Sequence, residues 1–356
     1  MEASSEAPRV PVRANTWDRV QKYIGQYGLI AVLLIMPVVF GLHDLAEDGN
    51  LTRLGNNFVA GISNGAIWAL IALGYTLVYG IIELINFAHG EVFMIGSLVT
   101  AAWFWGTIGL TEQTALIPLI FGLLASLIVG MLTSGSLNVM IERVAYRPLR
   151  SAPKLAPLIT AVGMSFILQN VGILWIGGSP EGVPQLADPQ KDLFEVGGVV
   201  INQGDILALG TTIPLVLLLT TFISKSRMGR AMRATAQDPE AARLMGINVD
   251  TTISLTFLLG GMLAGAAGTL YGIFFESARY NIGFLLGIKA FTAAVMGGIG
   301  NLQGAVLGGF IIGIIQQTSD NRIGGEWTPA IVFAYLVLIM VFRPQGLLGE
   351  ETREAG

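Results

Sequence analysis

Ten apolar segments divide this 356-residue chain, at roughly 24–42, 58–82, 91–109, 115–140, 156–176, 206–223, 252–275, 284–299, 303–318 and 328–342. Most have about the length that carries an α-helix across a bilayer, roughly 18–25 residues. Only 12% of the residues are charged and 53% are hydrophobic, whereas a soluble domain carries about 25% charged residues. The chain therefore reads as an all-α, polytopic transmembrane helical bundle. Backbone groups in lipid must be paired within a helix, so each long run is a span. Eight full spans is the lower bound and ten satisfies every segment. The open point is 284–318, where Gly297-Gly298-Ile299-Gly300-Asn301 joins two short runs. Broken or re-entrant helices fit there as well as two crossings. The first run ends at His43-Asp44 with no small-residue cleavage pattern, which reads as a retained span and not a signal peptide.

Lys and Arg orient the spans. Arg9, Arg13, Arg19 and Lys22 place the N-terminus inside, and Arg343 does so for the C-terminus. Arg143, Arg147, Arg150 and Lys154 place 141–155 inside, as Lys225, Arg227, Arg230, Arg233 and Arg243 place 224–250. Segments 43–57 and 177–205 are acidic and lie outside. The domains are then a cytoplasmic N-terminal extension (1–23), a transmembrane domain (24–346) with a cytoplasmic loop at 224–250, and a cytoplasmic tail (347–356). The chain has no cysteine, which excludes disulfides, thiol nucleophiles and thiolate metal sites. Glycines inside apolar runs, as at Gly260-Gly261, Gly265 and Gly268, favour close helix packing. Asn86-Phe87-Ala88-His89-Gly90 faintly echoes Asn301-Leu302-Gln303-Gly304, and internal repeats occur in transporters.

The loop 224–250 carries the sharpest local signal. Asp238 is a good N-cap, and Pro239 suits the first helical position. Glu240 lies where the helix dipole favours an anion, and Gly246 suits the stop. A helix of about two turns is marginal alone in water. Either a partner grips it or the loop is solvated and merely sets topology. At membrane depth, Asn86, His89 and Glu91 flank a break at Gly90. They line a substrate path or gate, or they cap the broken helix ends and pair with backbone. Asn64 and the Gln169-Asn170 pair sit inside spans, where interhelical hydrogen bonds and substrate contact are the two alternatives. Lys289 either snorkels outward or meets a buried carboxylate. Glu276 and Arg279 fall at the outer end of a span. Tyr75, Tyr79 and Trp68 read as packing residues, and Trp103 and Trp105 as interfacial aromatics. His89-x-Glu91 mimics the zinc-deaminase H-x-E pattern, but Cys ligands are missing, so no metal site is expected.

Glu240-Ala241-Ala242-x-x-x-Gly246 resembles the EAA loop of ABC importer permeases, without the downstream Ile-x-Leu-Pro element. G-Y-T-L-V-Y-G-I-I-E-L-I-N-F-A-H-G-E-V-F-M-I-G (74–96), E-R-V-A-Y-R-P-L-R (142–150) and A-F-T-A-A-V-M-G-G-I-G-N-L-Q-G-A-V-L-G-G (290–309) resemble the LivH-type permease of branched-chain amino acid importers. The resemblance runs from about residue 57 to 346. It implies a translocation subunit in the prokaryotic plasma (inner) membrane, carrying branched-chain or other neutral amino acids. Related permeases carry urea or other amides. It implies a LivM-type second permease subunit, two ABC ATPase subunits and an extracytoplasmic amino-acid-binding protein as partners. Asp238, Pro239, Glu240, Ala241, Ala242 and Gly246 would form the coupling helix seated on an ATPase; Arg143, Arg147 and Arg150 either make a second contact or merely set topology. Asn64, Asn86, His89, Glu91, Gln169 and Asn170 are the candidates for a translocation path or gate, with the structural duties named above as the alternative. The chain has no G-x-x-x-x-G-K-[ST] loop, so ATP and Mg belong to the partners. No cofactor of its own and no nucleic-acid partner is expected. An autonomous secondary transporter or channel would need ionisable residues deep in spans, and only Glu83, Glu91 and Lys289 offer themselves. An intramembrane enzyme lacks a nucleophile–base pair.

Overall fold

The computed structural model describes residues 16–111, 113, 114–150, 152–153 and 155–349. Residues 1–15 of the N-terminal extension, Lys154 and the end of the tail from 350 lie outside them, as do the side chains of Arg19 and Lys22. The elements in order are α1 (Thr16–Glu47), α2 (Thr52–Ile82), α3 (His89–Ser97), α4 (Trp105–Thr107), α5 (Leu116–Ile141), α6 (Leu155–Ile176), α7 (Gln203–Lys225), α8 (Arg227–Gln237), α9 (Pro239–Leu244), α10 (Val249–Phe275), α11 (Ile282–Gly297), α12 (Leu302–Arg322) and α13 (Thr328–Phe342). A π-helical stretch, Leu98–Phe104, joins α3 to α4, and a second one, Glu142–Tyr146, extends α5. Each of the ten apolar segments lies on helix. Among the described residues, five helices are long and apolar enough to cross a membrane. The chain is a polytopic helical membrane protein.

Four short strands depart from the all-helical expectation. Segment 177–205, expected only as an acidic loop, holds a hairpin of β2 (Asp192–Val196) and β3 (Val199–Asn202). Gly197 and Gly198, at φ +60° and +84°, supply the turn that such hairpins need. β1 (Glu181–Gly182) pairs with β4 (Ser277–Ala278). These strands mark one end of the bundle, the hairpin end. α8, α9 and residues 141–150 mark the other, the α9 end.

The bundle is built around α2 and α10. Gly61, Gly65 and Ala69 of α2 recur every fourth residue and face Gly309 and Gly313 of α12. A Cβ on Gly61 would stand 2.7 Å from the Ile314 Cα, and one on Gly65 2.8 Å from the Phe310 Cα. Backbones meet along this seam because no side chain keeps them apart. On α10, a Cβ on Gly261 would stand 2.6 Å from the Ser134 carbonyl of α5, and one on Gly268 would meet the Ser97 amide of α3 at 2.6 Å. The glycines read as packing residues do pack. At the hairpin end, Arg322 of α12 is paired with Asp44 of α1, both nearly fully buried. At the α9 end, the Leu347 and Leu348 amides donate to the Met296 and Gly297 carbonyls at 2.8 and 2.9 Å. The start of the tail is thereby laid against the α11–α12 turn.

Region 284–318 resolves into two helices, α11 and α12, joined at Gly298 to Asn301. α11 has only 16 residues, about 24 Å of helix. It begins inside the bundle, and so does α3.

Candidate functional site

α2 ends at Ile82, where Glu83 turns left-handed at φ 51° and its amide donates to the Tyr79 carbonyl at 2.8 Å. Residues 83–88 then fold back along the bundle. His89, the first residue of α3, packs its ring on Gly74 and edge-on to Tyr75, with centroids 4.8 Å apart. Gly74 is eight residues before the end of α2, about 12 Å along its axis. The break therefore lies inside the protein, as its sequence position at membrane depth suggests. The cause is that Gly74 and Gly260 leave room for a re-entering chain.

Asn86 holds the turn. Its Oδ1 accepts from the Ala88 amide at 3.1 Å and from the Tyr146 hydroxyl at 3.2 Å, and its Nδ2 donates to Asn138 Oδ1 at 3.1 Å. Asn138 in turn donates to the Phe257 carbonyl of α10 at 2.7 Å. The His89 ring is fully buried beside the Ile71 carbonyl, yet neither ring nitrogen makes a hydrogen bond of good geometry.

Gly90 and Glu91 meet the start of α11. A Cβ on Gly287 would stand 2.9 Å from the Gly90 Cα, and one on Gly283 2.7 Å from the Gly90 carbonyl. The Glu91 carboxylate lies in this junction with no exposure. Its Oε1 accepts from Ser165 Oγ at 3.1 Å and Gln169 Nε2 at 2.9 Å, both on α6. Its Oε2 lies against Gly283 with no hydrogen-bond partner. From there α3 runs along α10 past Gly265, and the π-helical stretch and Trp105 continue past Gly272 toward the hairpin end, while α11 runs along α2 past Tyr75 to the turn beside Gly80. Two helix N-termini therefore meet head-on around one carboxylate.

Asn64 is apart from this site, donating to Gln317 of α12 at 2.7 Å. Asn170 is exposed on α6 and donates to the Phe166 carbonyl of its own helix at 2.8 Å. Lys289 Nζ donates to the neutral Gln316 amide at 3.3 Å, 6.0 Å from the Trp68 ring centroid. Trp105 is also corrected. It is fully buried with its Nε1 donating to Ser126 Oγ at 2.9 Å, because Ser126 on α5 supplies the acceptor that an interfacial ring would find in water. Trp103 is exposed.

At the α9 end, Asp238 Oδ1 accepts from the Glu240 and Ala241 amides at 2.9 and 3.0 Å, which satisfies two of the first-turn donors. Gly246 closes the helix at φ +81°, and the Ile247 amide donates back to the Ala242 carbonyl at 3.0 Å. Glu240, Ala241 and Arg243 face outward. Ala242 does not: it is 3% exposed and packs into the core. Sequence reasoning missed the residues that stand out most, Leu244 at 89% and Met245 at 82% exposure. Their signal was available, two large apolar residues just before a helix-stopping glycine. Of the three arginines, Arg143 is exposed. Arg147 and Arg150 both bind Asp250, the second residue of α10, and Arg150 also pairs with the buried Glu142.

A family described as "Branched-chain amino acid transport system / permease component" matches residues 57–341. The chain is 43% identical to the high-affinity branched-chain amino acid transport system permease protein BraD of Pseudomonas aeruginosa over 82% of this chain and 94% of that protein. It is 42% identical to the corresponding LivH of Escherichia coli K12, over 81% and 93%. A probable LivH of Methanocaldococcus jannaschii is 32% identical over 80% and 89%. With a family match that runs from α2 to α13 and relatives this similar along nearly their full length, the chain belongs to the branched-chain amino acid ABC transport permease family.

Proposed function

We propose that this chain is the translocation subunit through which branched-chain or other neutral amino acids enter a prokaryotic cell. The observation that carries the reading is the match to branched-chain amino acid permeases over more than nine tenths of their length. In this reading the chain lies in the inner membrane with the α9 end and both termini in the cytoplasm. It pairs with a LivM-type permease subunit. Two ABC ATPases, which hold ATP and Mg, dock on α9, and a binding protein delivers substrate at the hairpin end. The exposed, capped α9 with Leu244 and Met245 at its tip supports the docking. A helix that short persists in water only when capped and covered. Arg143 remains free to reach an ATPase, while Arg147 and Arg150 hold α10. The residues around the α3–α11 junction, His89, Glu91 and Gln169, lie on the path, and Asn86 holds its gate turn. Substrate movement requires the partners, so the chain itself performs no chemistry.

The test is affinity purification of the tagged chain from its native membrane. A second permease of similar size and Walker-containing subunits are expected to co-purify. A chain that purifies alone and by itself transports in liposomes overturns the reading in favour of a secondary transporter.

A further inference from the structure

We propose that the junction of the α3 and α11 N-termini binds the headgroup of a free α-amino acid, the Glu91 carboxylate taking the ammonium and the first-turn amides of α11 taking the carboxylate. This rests on the amino-acid reading above and assigns atoms within it. Glu91 is fully buried, and among the described residues no Lys or Arg forms an ion pair with it. Buried charge at membrane depth is costly and is kept for pairing or for function. One oxygen is held by Ser165 and Gln169, which leaves Oε2 directed at the junction without a partner. A proton or a cation can fill that place, and the ligand's ammonium is the cation assigned to it.

The other half of the site is the end of α11. The first N–H groups of a helix have no partner within it, and Asn281 makes no side-chain cap here. Such a terminus favours a negative group. Gly90, Gly283 and Gly287 put no side chain into the junction, and their facing backbones and Glu91 fill it in this structure; a ligand's carboxylate reaches the backbone amides only when the two helix ends part. In this structure Glu91 itself lies against that terminus. On binding, the ligand carboxylate replaces it there and the ammonium holds it alongside. A ligand with both groups on one carbon satisfies both halves; an amine or an acid alone satisfies one.

The experiment uses the complete transporter with its binding protein in proteoliposomes containing ATP, with labelled leucine as probe. Glu91→Gln keeps the size of the side chain and removes its charge. Uptake is expected to fall roughly 10- to 100-fold, the scale of a hydrogen bond to a charged group, with the complex eluting intact. Equal uptake by Glu91→Gln and wild type overturns the site and leaves the amino-acid reading standing. No amino-acid uptake by wild type overturns both. Should the variant fail to assemble, the wild-type complex decides: leucine is expected to raise its melting temperature, and 3-methylbutylamine and 4-methylpentanoate are not. Equal stabilisation by either analogue, or none by leucine, overturns the site.

Discussion

Arg150 donates to the Asp250 carboxylate at 2.6 Å and, through its other nitrogen, to the buried Glu142. Asp250 opens α10 four residues after Gly246, and Glu142 continues α5. One guanidinium therefore ties the exit of the loop 224–250 to the stretch 142–150. Glu142 also accepts from Ser254 Oγ at 2.7 Å. Tyr146, on the same π-helical turn, donates to Asn86 at 3.2 Å. The loops at the α9 end and the interior break are parts of one hydrogen-bonded assembly.

Arg150→Ala leaves the buried Glu142 without its cation. Removing one partner of a buried pair costs about 3–5 kcal/mol, so thermal unfolding in detergent should move down by several degrees. Arg150→Lys should recover only part, since an ammonium does not reproduce the fork that reaches Asp250 and Glu142 together. An unchanged melting temperature in Arg150→Ala would show that the pair is not a stabilising tie.

Gly313→Ala tests the seam between α2 and α12. Its new methyl group would overlap the Gly61 carbonyl and the Gly65 backbone, which cannot move aside as a side chain could. Overpacking of this kind costs about 1–3 kcal/mol. Gly163→Ala is the control, because a Cβ there meets nothing within 4 Å. Unfolding curves of the two variants should separate, with Gly163→Ala at or above wild type.

Asp238→Ala removes the acceptor for the Glu240 and Ala241 amides. The loss of such a cap costs about 1 kcal/mol, enough to fray a helix of six residues. Amide exchange of residues 240–244 should accelerate while exchange in α10 stays unchanged. Protection of α9 that survives the substitution would mean that packing of Ala242 alone holds it.

Leu244→Asp, at an exposed position of this chain, should leave folding intact and weaken retention of the ATPase subunits during purification. Retention at the wild-type level would move the docking surface off the tip of α9.

Apolar run length made the helices legible, and capping chemistry made α9 legible down to Asp238 and Gly246. Both signals are local. The interior starts of α3 and α11 were not legible, because depth depends on which backbones pack together. Gly90, Gly283 and Gly287 announce close approach only once they are seen facing each other. Trp105 was misread for the same reason: its acceptor, Ser126, lies on another helix. Ala242 was placed with the docking residues on the Glu-Ala-Ala resemblance, and a helix of six residues shows no period from which its buried side can be read. The β2–β3 hairpin had a turn signal in Gly197-Gly198, but its strands are too short to stand out beside an acidic loop.

The most direct measurement is uptake of labelled leucine by proteoliposomes holding the purified chain with its co-purifying subunits, with binding protein outside and ATP enclosed. The account predicts accumulation that requires both the binding protein and ATP hydrolysis, and no uptake by the chain alone. Leucine uptake by the chain alone, indifferent to ATP, would contradict it.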